Sequence, residues 1–283
     1  MVNRAEGKIS GPLGEAVSEA VQAIRDHAPC QPRVALILGS GLGRYADGFQ
    51  GSKVLRFNKI PGFPNPTVSG HQGRLVWGLR GSTPVVAQQG RFHLYEGYSS
   101  QEVVFPLRVM HALGARVLVV TNAAGSLAGH IGPGDLMLIE DHISFQFSSP
   151  LGGETPKYSE ERFVDPSEPY SRRLLAIASE TAVSGRHPGV RAGTYWGNIG
   201  PAYETPSEIR MAKKMGGHAV GMSTISEVIV ARQLEMEVLG ISCITNRAAG
   251  LSTSPLSHEE VLNSASRIHE KVSRYLDAIL ERI

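Results

Sequence analysis

Between Gly200 and Gly250 the chain repeatedly sets polar residues where an apolar run gives way to a turn. GPAYETPSEIR carries a lone carboxylate, Glu204, between Tyr203 and Pro206. In GMSTISEVIVA the apolar run from His218 to Met222 ends on Ser223 and Thr224, and in ISCITNRAAG a second run ends on Thr245 and Asn246. A carboxylate accepts hydrogen bonds, whereas an amide donates and accepts in one plane. Glu204 and Asn246 at neighbouring strand ends therefore suit a flat heterocycle with donor and acceptor edges. A hydroxyl at a helix start either caps that helix or joins the helix N-terminus in holding an anion. Ser223 and Thr224 admit both readings.

A second set lies upstream. No acidic residue occurs between Asp47 and Glu96, an interval that carries Lys53, Arg56, Lys59, His71, Arg74, Arg80, Arg91 and His93. It follows ILGSGLGRYADG, a glycine loop of the kind that brings backbone N–H groups to a phosphate, with Ser40 as a candidate anion contact. The rival reading, a dinucleotide fingerprint, fails twice. Arg44 stands where the third glycine belongs, and no acid follows about 20 residues on to hold a ribose hydroxyl. In GRFHLYEGY, a continued extended conformation would point Arg91, His93 and Tyr95 to one face. The competing structural use of the cation is a pair between Arg91 and Glu96. His71 sits in the Pro- and Gly-rich stretch 61–73, either as a surface residue or as a further member of this set.

Other chemistries are missing their spacing. His258-Glu259-Glu260-Val261 continues with Leu262, which breaks the HExxH of zinc proteases. GMSTI has Ile225 where a hydrolase elbow needs glycine. GxxxxGK[ST] does not occur. No metal site and no cofactor are expected.

Periodicity supplies the elements that must carry these residues. Helical spacing runs over 14–27, 101–113 (closed by Gly114), 171–182, 206–215, from 225 onward and over 258–283. Strand-like runs cover 33–38, 74–79 and 84–89 as a hairpin, 117–121 leading into a NAAGSL turn, 135–140, 190–196, 218–222 and 241–244. The stretch 144–169 is irregular and suggests a lid or an interface.

The 283 residues, 41% hydrophobic and 19% charged, fit one globular domain over 1–283. A net charge of +2 gives no electrostatic case for nucleic acid or an anionic membrane. Only Cys30 and Cys243 occur, without CxxC spacing. That, with no apolar leader in MVNRAEGKIS, points to a reducing cytoplasm.

Taken together, ILGSGLG, GFPNPTVSGHQGRL, GRFHLYEGY, VVTNAAGSL, GDLMLIEDHI, GPAYETPSEIR, GMSTISEVIVA, SCITNRAAG and LSHEEV resemble the trimeric purine nucleoside phosphorylases, in their bacterial branch, over nearly the whole chain. The resemblance implies an α/β fold, a single domain with a central mixed twisted β-sheet flanked by helices, and no cofactor beyond inorganic phosphate as co-substrate. It implies phosphate held by Ser40, Arg91, His93, the backbone at Ala123 and Ser223, with His71 near the attacking oxygen and the Arg91 guanidinium contacting only the anion. It implies a purine held by Glu204 and Asn246 and stacked by Tyr203. Tyr95, Met222 and His258 would line the ribose, closed by Phe163 from a neighbouring subunit of a homotrimer. Ser226 departs from the proline that many relatives carry two residues after the threonine. The reaction implied is reversible phosphorolysis of nucleosides such as inosine and guanosine to free base and α-ribose 1-phosphate. Methylthioadenosine and xanthosine phosphorylases are the rivals on the same fold. Asn246, where the former usually has an acid, and the polar His258, where its thioether would sit, speak against the first.

Overall fold

A computed structural model describes residues 11–65, 67–68, 71–152, 163–251 and 258–283, with the side chains of 11, 12, 258 and 259 outside the description. Strand β1 (Val34–Leu38) shows why the sheet is buried on both faces. Its side chains alternate, Val34, Leu36 and Leu38 into one apolar cluster and Ala35 and Ile37 into the other, as a period of two requires. Helices α1 (Gly11–His27), α2 (Ser100–Ala112) and α5 (Ile225–Gln233) cover the face of Ala35 and Ile37, and α3 (Arg172–Ser184) and α6 (His258–Leu280) that of Val34, Leu36 and Leu38. A third, smaller cluster under α4 (Pro206–Lys214) gathers Leu127, Trp196, Ile209, Ala212, Val220 and Ala248. The result is a single-domain α/β architecture.

Among the described residues nine strands form one mixed sheet, completed by β2 (Gln50–Arg56), β3 (Arg74–Arg80), β4 (Thr83–Gln89), β5 (Val117–Ser126), β6 (Leu136–Ser144), β7 (Val190–Gly197), β8 (Ala219–Gly221) and β9 (Glu237–Arg247). The order is β2-β3-β4-β1-β5-β8-β7-β6-β9, and β9 returns to pair with β5. Five strands, β5, β8, β7, β6 and β9, thus close on themselves, and β1, β4, β3 and β2 extend from β5 as a wing.

Two expectations change here. NAAGSL was expected to be a turn, but Asn122–Ser126 continue β5, because β9 pairs with it as far as Ser126 and β8 pairs with Gly125 and Ser126. Strand β2 was not anticipated: QGSKVLR is exposed along almost its whole length, so it carries no apolar alternation to read, as befits an edge strand. The β5–β9 register slips between Ala124 and Gly125, so that Gly125 faces Asn246 and Thr245 is the extra residue. A bulge of this kind re-aims a side chain, and here it sits at Asn246.

Candidate active site

A cleft opens where β1, β5, β8 and β9 end. Its walls bring together Ser40, Arg91, His93, Ala123 and Ser223 with Tyr95, Tyr203, Glu204, Met222 and Asn246, which are spread over more than 200 residues of sequence. Asn122, Thr245, Val220 and Val261 also line it. His71 is not part of the wall itself. It stacks behind His93 at 5.4 Å between ring centroids, and His93 stacks on Tyr95 at 4.6 Å. The His258 side chain lies outside the described residues, although Val261, one turn further along α6, lines the cleft. Phe163 is 84% exposed and does not line the cleft of its own chain.

The end of β1 approaches β5 so closely that a Cβ at Gly39 would lie 2.7 Å from the Thr121 carbonyl oxygen. Gly39 N–H donates to Thr121 Oγ1 at 3.0 Å, which secures the loop bearing Ser40. Arg91 is 2% exposed, and among its nitrogens only Nη2 has no hydrogen-bond partner among the described residues. Its Nη1 donates to Thr121 O and to Ser223 Oγ, each at 2.9 Å, while Nε donates to Glu227 Oε1 at 3.2 Å and Nη2 lies 3.0 Å from the same oxygen. The competing pair with Glu96 does not form, since the carboxylate facing Arg91 is Glu227. One expectation is corrected: the guanidinium does not contact the anion alone but also organises the protein.

Glu96 belongs to His93. The chain leaves the extended conformation after His93 for a short 3-10 turn, Leu94–Glu96, which returns the carboxylate to the imidazole. Oε1 accepts from His93 N and from Nδ1, both at 2.8 Å, and Oε2 accepts from Thr67 N at 2.8 Å and Thr67 Oγ1 at 2.6 Å. Burial works to raise the Glu96 pKa, but these hydrogen bonds outweigh it and hold the carboxyl at about 2. Because a carboxylate only accepts, Nδ1 carries the proton and Nε2 is the ring nitrogen left for the cleft. Burial lowers the pKa of both imidazoles, to about 4 for His71, where the neighbouring His93 adds to the effect. Burial thus favours the neutral form of both rings.

Neither Ser223 nor Thr224 caps α5 through its side chain. Thr224 adopts φ +75° and ψ −46°, and Ile225 N–H donates to Ser223 O at 2.8 Å, a γ-turn of the strained kind. For a buried β-branched residue such a conformation costs about 1–3 kcal/mol. It is held by Asn122 Nδ2 donating to Thr224 Oγ1 at 2.9 Å. The turn frees Ser223 Oγ from capping and presents it to Arg91 and the cleft.

At the bulge, Thr245 Oγ1 donates to Asn246 Oδ1 at 2.8 Å and Asn246 Nδ2 donates to Arg247 O at 2.9 Å. A carbonyl cannot donate, so the amide is held in one orientation, with its second N–H as the group on offer. Glu204 Oε1 accepts from Asn198 Nδ2 at 2.7 Å. Asn122 and Asn198 escaped the sequence reading. The first lies inside the strand extension that was read as a turn, and the second in a short polar link between Gly197 and Gly200.

The model of the phosphorylase superfamily matches residues 33–281. Purine nucleoside phosphorylase 1 of Geobacillus stearothermophilus is 48% identical over 268 residues, covering 95% of this chain and 97% of the relative. The chain belongs to the purine nucleoside phosphorylase family. Like the other members it is an enzyme of the glycosyl-transferring class. Purine nucleoside phosphorylase 1 of Bacillus subtilis (strain 168) is 45% identical over 95% of this chain and 98% of its own length, in keeping with the bacterial branch. Among solved purine nucleoside phosphorylases, that of Schistosoma mansoni, crystallised with hypoxanthine and with adenosine, superposes with a TM-score of 0.89 at 37% identity, covering 95% of this chain and 97% of the other.

Proposed function

We propose that this enzyme catalyses the reversible phosphorolysis of purine ribonucleosides and deoxyribonucleosides, inosine and guanosine among them, to the free base and α-(deoxy)ribose 1-phosphate. The observation that carries the reading is the convergence of an anion set, Ser40, Arg91, His93, Ala123 and Ser223, with a base-reading pair, Glu204 and Asn246, in one cleft. Inorganic phosphate is the co-substrate and no cofactor is needed.

In this reading a phosphate oxygen attacks C1′ as the bond from C1′ to N9 breaks, and the bonding pair passes into the purine. Positive charge develops on the sugar, as in glycoside cleavage, and negative charge on the departing base. The second Asn246 N–H faces N7 or O6 as that charge grows, and Glu204 accepts from N1–H. A preorganised donor of this kind contributes roughly 3–4 kcal/mol to the transition state. Neutral His93 offers Nε2 as an acceptor to the hydroxyl of monohydrogen phosphate, while Ser223 Oγ–H donates to an anionic oxygen. His71, stacked behind His93, is a positioning residue in this scheme. Tyr203 stacks on the base, and Tyr95, Met222 and His258 line the ribose. The Schistosoma mansoni relative is solved with adenosine as well as hypoxanthine, so turnover rather than occupancy is the measure of base selectivity.

A nucleoside panel assayed with and without phosphate tests the reaction. Inosine and guanosine are expected to be cleaved only in its presence. Equal turnover in phosphate-free buffer would make the protein a hydrolase and end this reading.

The assembly proposed is a homotrimer in the cytoplasm. Phe147 and Phe163, 85% and 84% exposed, lie within the expected interface segment 144–169, and exposed aromatic surface of this kind favours contact with another copy. Phe163 would then close the ribose pocket of its neighbour. Light scattering is expected to give three times the chain mass, with a raised nucleoside KM in Phe163→Ala. A fully active monomer, or wild-type kinetics in the variant, refutes it. Among the described residues no helix is long and apolar enough to cross a membrane.

A further inference from the structure

We propose that Asn198 is the positioning residue for Glu204, fixing the carboxylate in one place with Oε2 turned to the base; this rests on the function proposed above. The geometry is a relay of three side chains in nine residues. Trp196 Nε1 donates to Asn198 Oδ1 at 2.9 Å, and Asn198 Nδ2 donates to Glu204 Oε1 at 2.7 Å. An indole N–H only donates and a carboxylate only accepts, so the amide between them has a single allowed orientation. Trp196 is itself immobilised, buried in the cluster under α4 and stacked on Phe145 at 4.3 Å.

The Asn198 backbone is anchored as well. Its N–H donates to Gly221 O at 2.9 Å and its carbonyl accepts from Gln146 Nε2 at 3.3 Å, which ties the end of β7 to the cleft-lining end of β8. The chain then turns through Gly200 at φ +77°, where a Cβ would lie 2.4 Å from Met222 Sδ. Glu204 thus arrives on a loop whose path is set by two other residues of the cleft wall. Without Asn198 that loop would still reach the cleft, but the carboxylate would have no fixed rotamer. Among the described residues no hydrogen bond to Glu204 Oε2 is found, so one oxygen is held by the protein and the other remains for the ligand.

The test is Asn198→Asp, which keeps the shape and still accepts from Trp196 but sets a second carboxylate against Glu204 in place of the amide donor. Losing a charge-assisted hydrogen bond predicts a fall in kcat/KM for inosine of about 10- to 100-fold, and a matching loss of guanine affinity by calorimetry. The KM for phosphate should stay within about twofold, because the anion set does not share this contact. In a Glu204→Ala background the same substitution should change kcat/KM by less than about twofold, since a residue that acts through Glu204 has nothing left to act on. Additive losses in the two backgrounds overturn the proposal and make Asn198 a structural residue. Should Asn198→Asp fail to fold, Trp196→Phe keeps an aromatic ring against Phe145 and removes the N–H together with the five-membered ring. It is expected to show a smaller loss with the same non-additivity, and additivity there overturns the proposal equally. A wild-type enzyme that neither binds guanine nor cleaves inosine removes the proposed function and this inference together. Wild-type cleavage with an additive cycle removes the inference alone.

Discussion

Adenosine is expected to be cleaved with a kcat/KM about 10⁴-fold below that of inosine, because a site built to pair a polar group rejects a ligand that leaves it unpaired. A 6-oxopurine presents an acceptor at O6 and a donor at N1; adenine presents a donor at N6 and an acceptor at N1. Glu204 can only accept, so it meets the bare N1 of adenine with lone pairs on both sides. From sequence the Asn246 amide is free to turn and serve either base. The structure removes that freedom, because Thr245 Oγ1 and Arg247 O hold the amide oxygen and nitrogen in place. Both residues then discriminate. Asn246→Asp should lose inosine cleavage and recover part of the adenosine cleavage, since the new carboxylate accepts from N6–H₂ and from N7–H. It should also cost about 1–3 kcal/mol of stability by setting an acceptor against the Arg247 carbonyl. Equal wild-type efficiency for the two nucleosides, or a variant with unchanged preference, would show that Glu204 and Asn246 do not read the base.

Arg91→Ala is expected to act on two quantities at once. Loss of the guanidinium should raise the KM for phosphate about 100-fold, the scale of a charge-assisted contact, and displace Ser223, which shares Arg91 Nη1. It also leaves Glu227 buried without its cation, and breaking such a pair costs about 3–5 kcal/mol. Against a total stability of about 5–15 kcal/mol that is a large fraction. Arg91→Ala with Glu227→Gln separates the two. The second substitution removes the orphaned charge and should restore part of the melting temperature while the phosphate KM stays high. A single variant with wild-type stability would remove Glu227 from the account, and one with a wild-type phosphate KM would make Arg91 purely structural.

What the sequence determined by itself was local. Strands β1, β3 and β4 and helices α1 and α2 were legible because burial on one or both faces imposes a period, and caps such as Ser99 and Thr205 mark helix starts with side chains a few residues from the backbone they bond. Ser223 and Asn246 at the ends of β8 and β9, and Glu204 in the loop before α4, were legible for the same reason. Tertiary structure alone decided the rest, because the partners are far apart in the chain. Arg91 meets Glu227 across 136 residues, Asn122 meets Thr224 across 102, and β5 runs on through NAAGS only because β9 and β8 are there to take its hydrogen bonds. Edge strand β2 shows the converse, since with almost no buried face it left no pattern to read. Thr224 at positive φ is the sharpest case: no local preference selects that conformation, and it persists because packing and the Asn122 amide outweigh its strain.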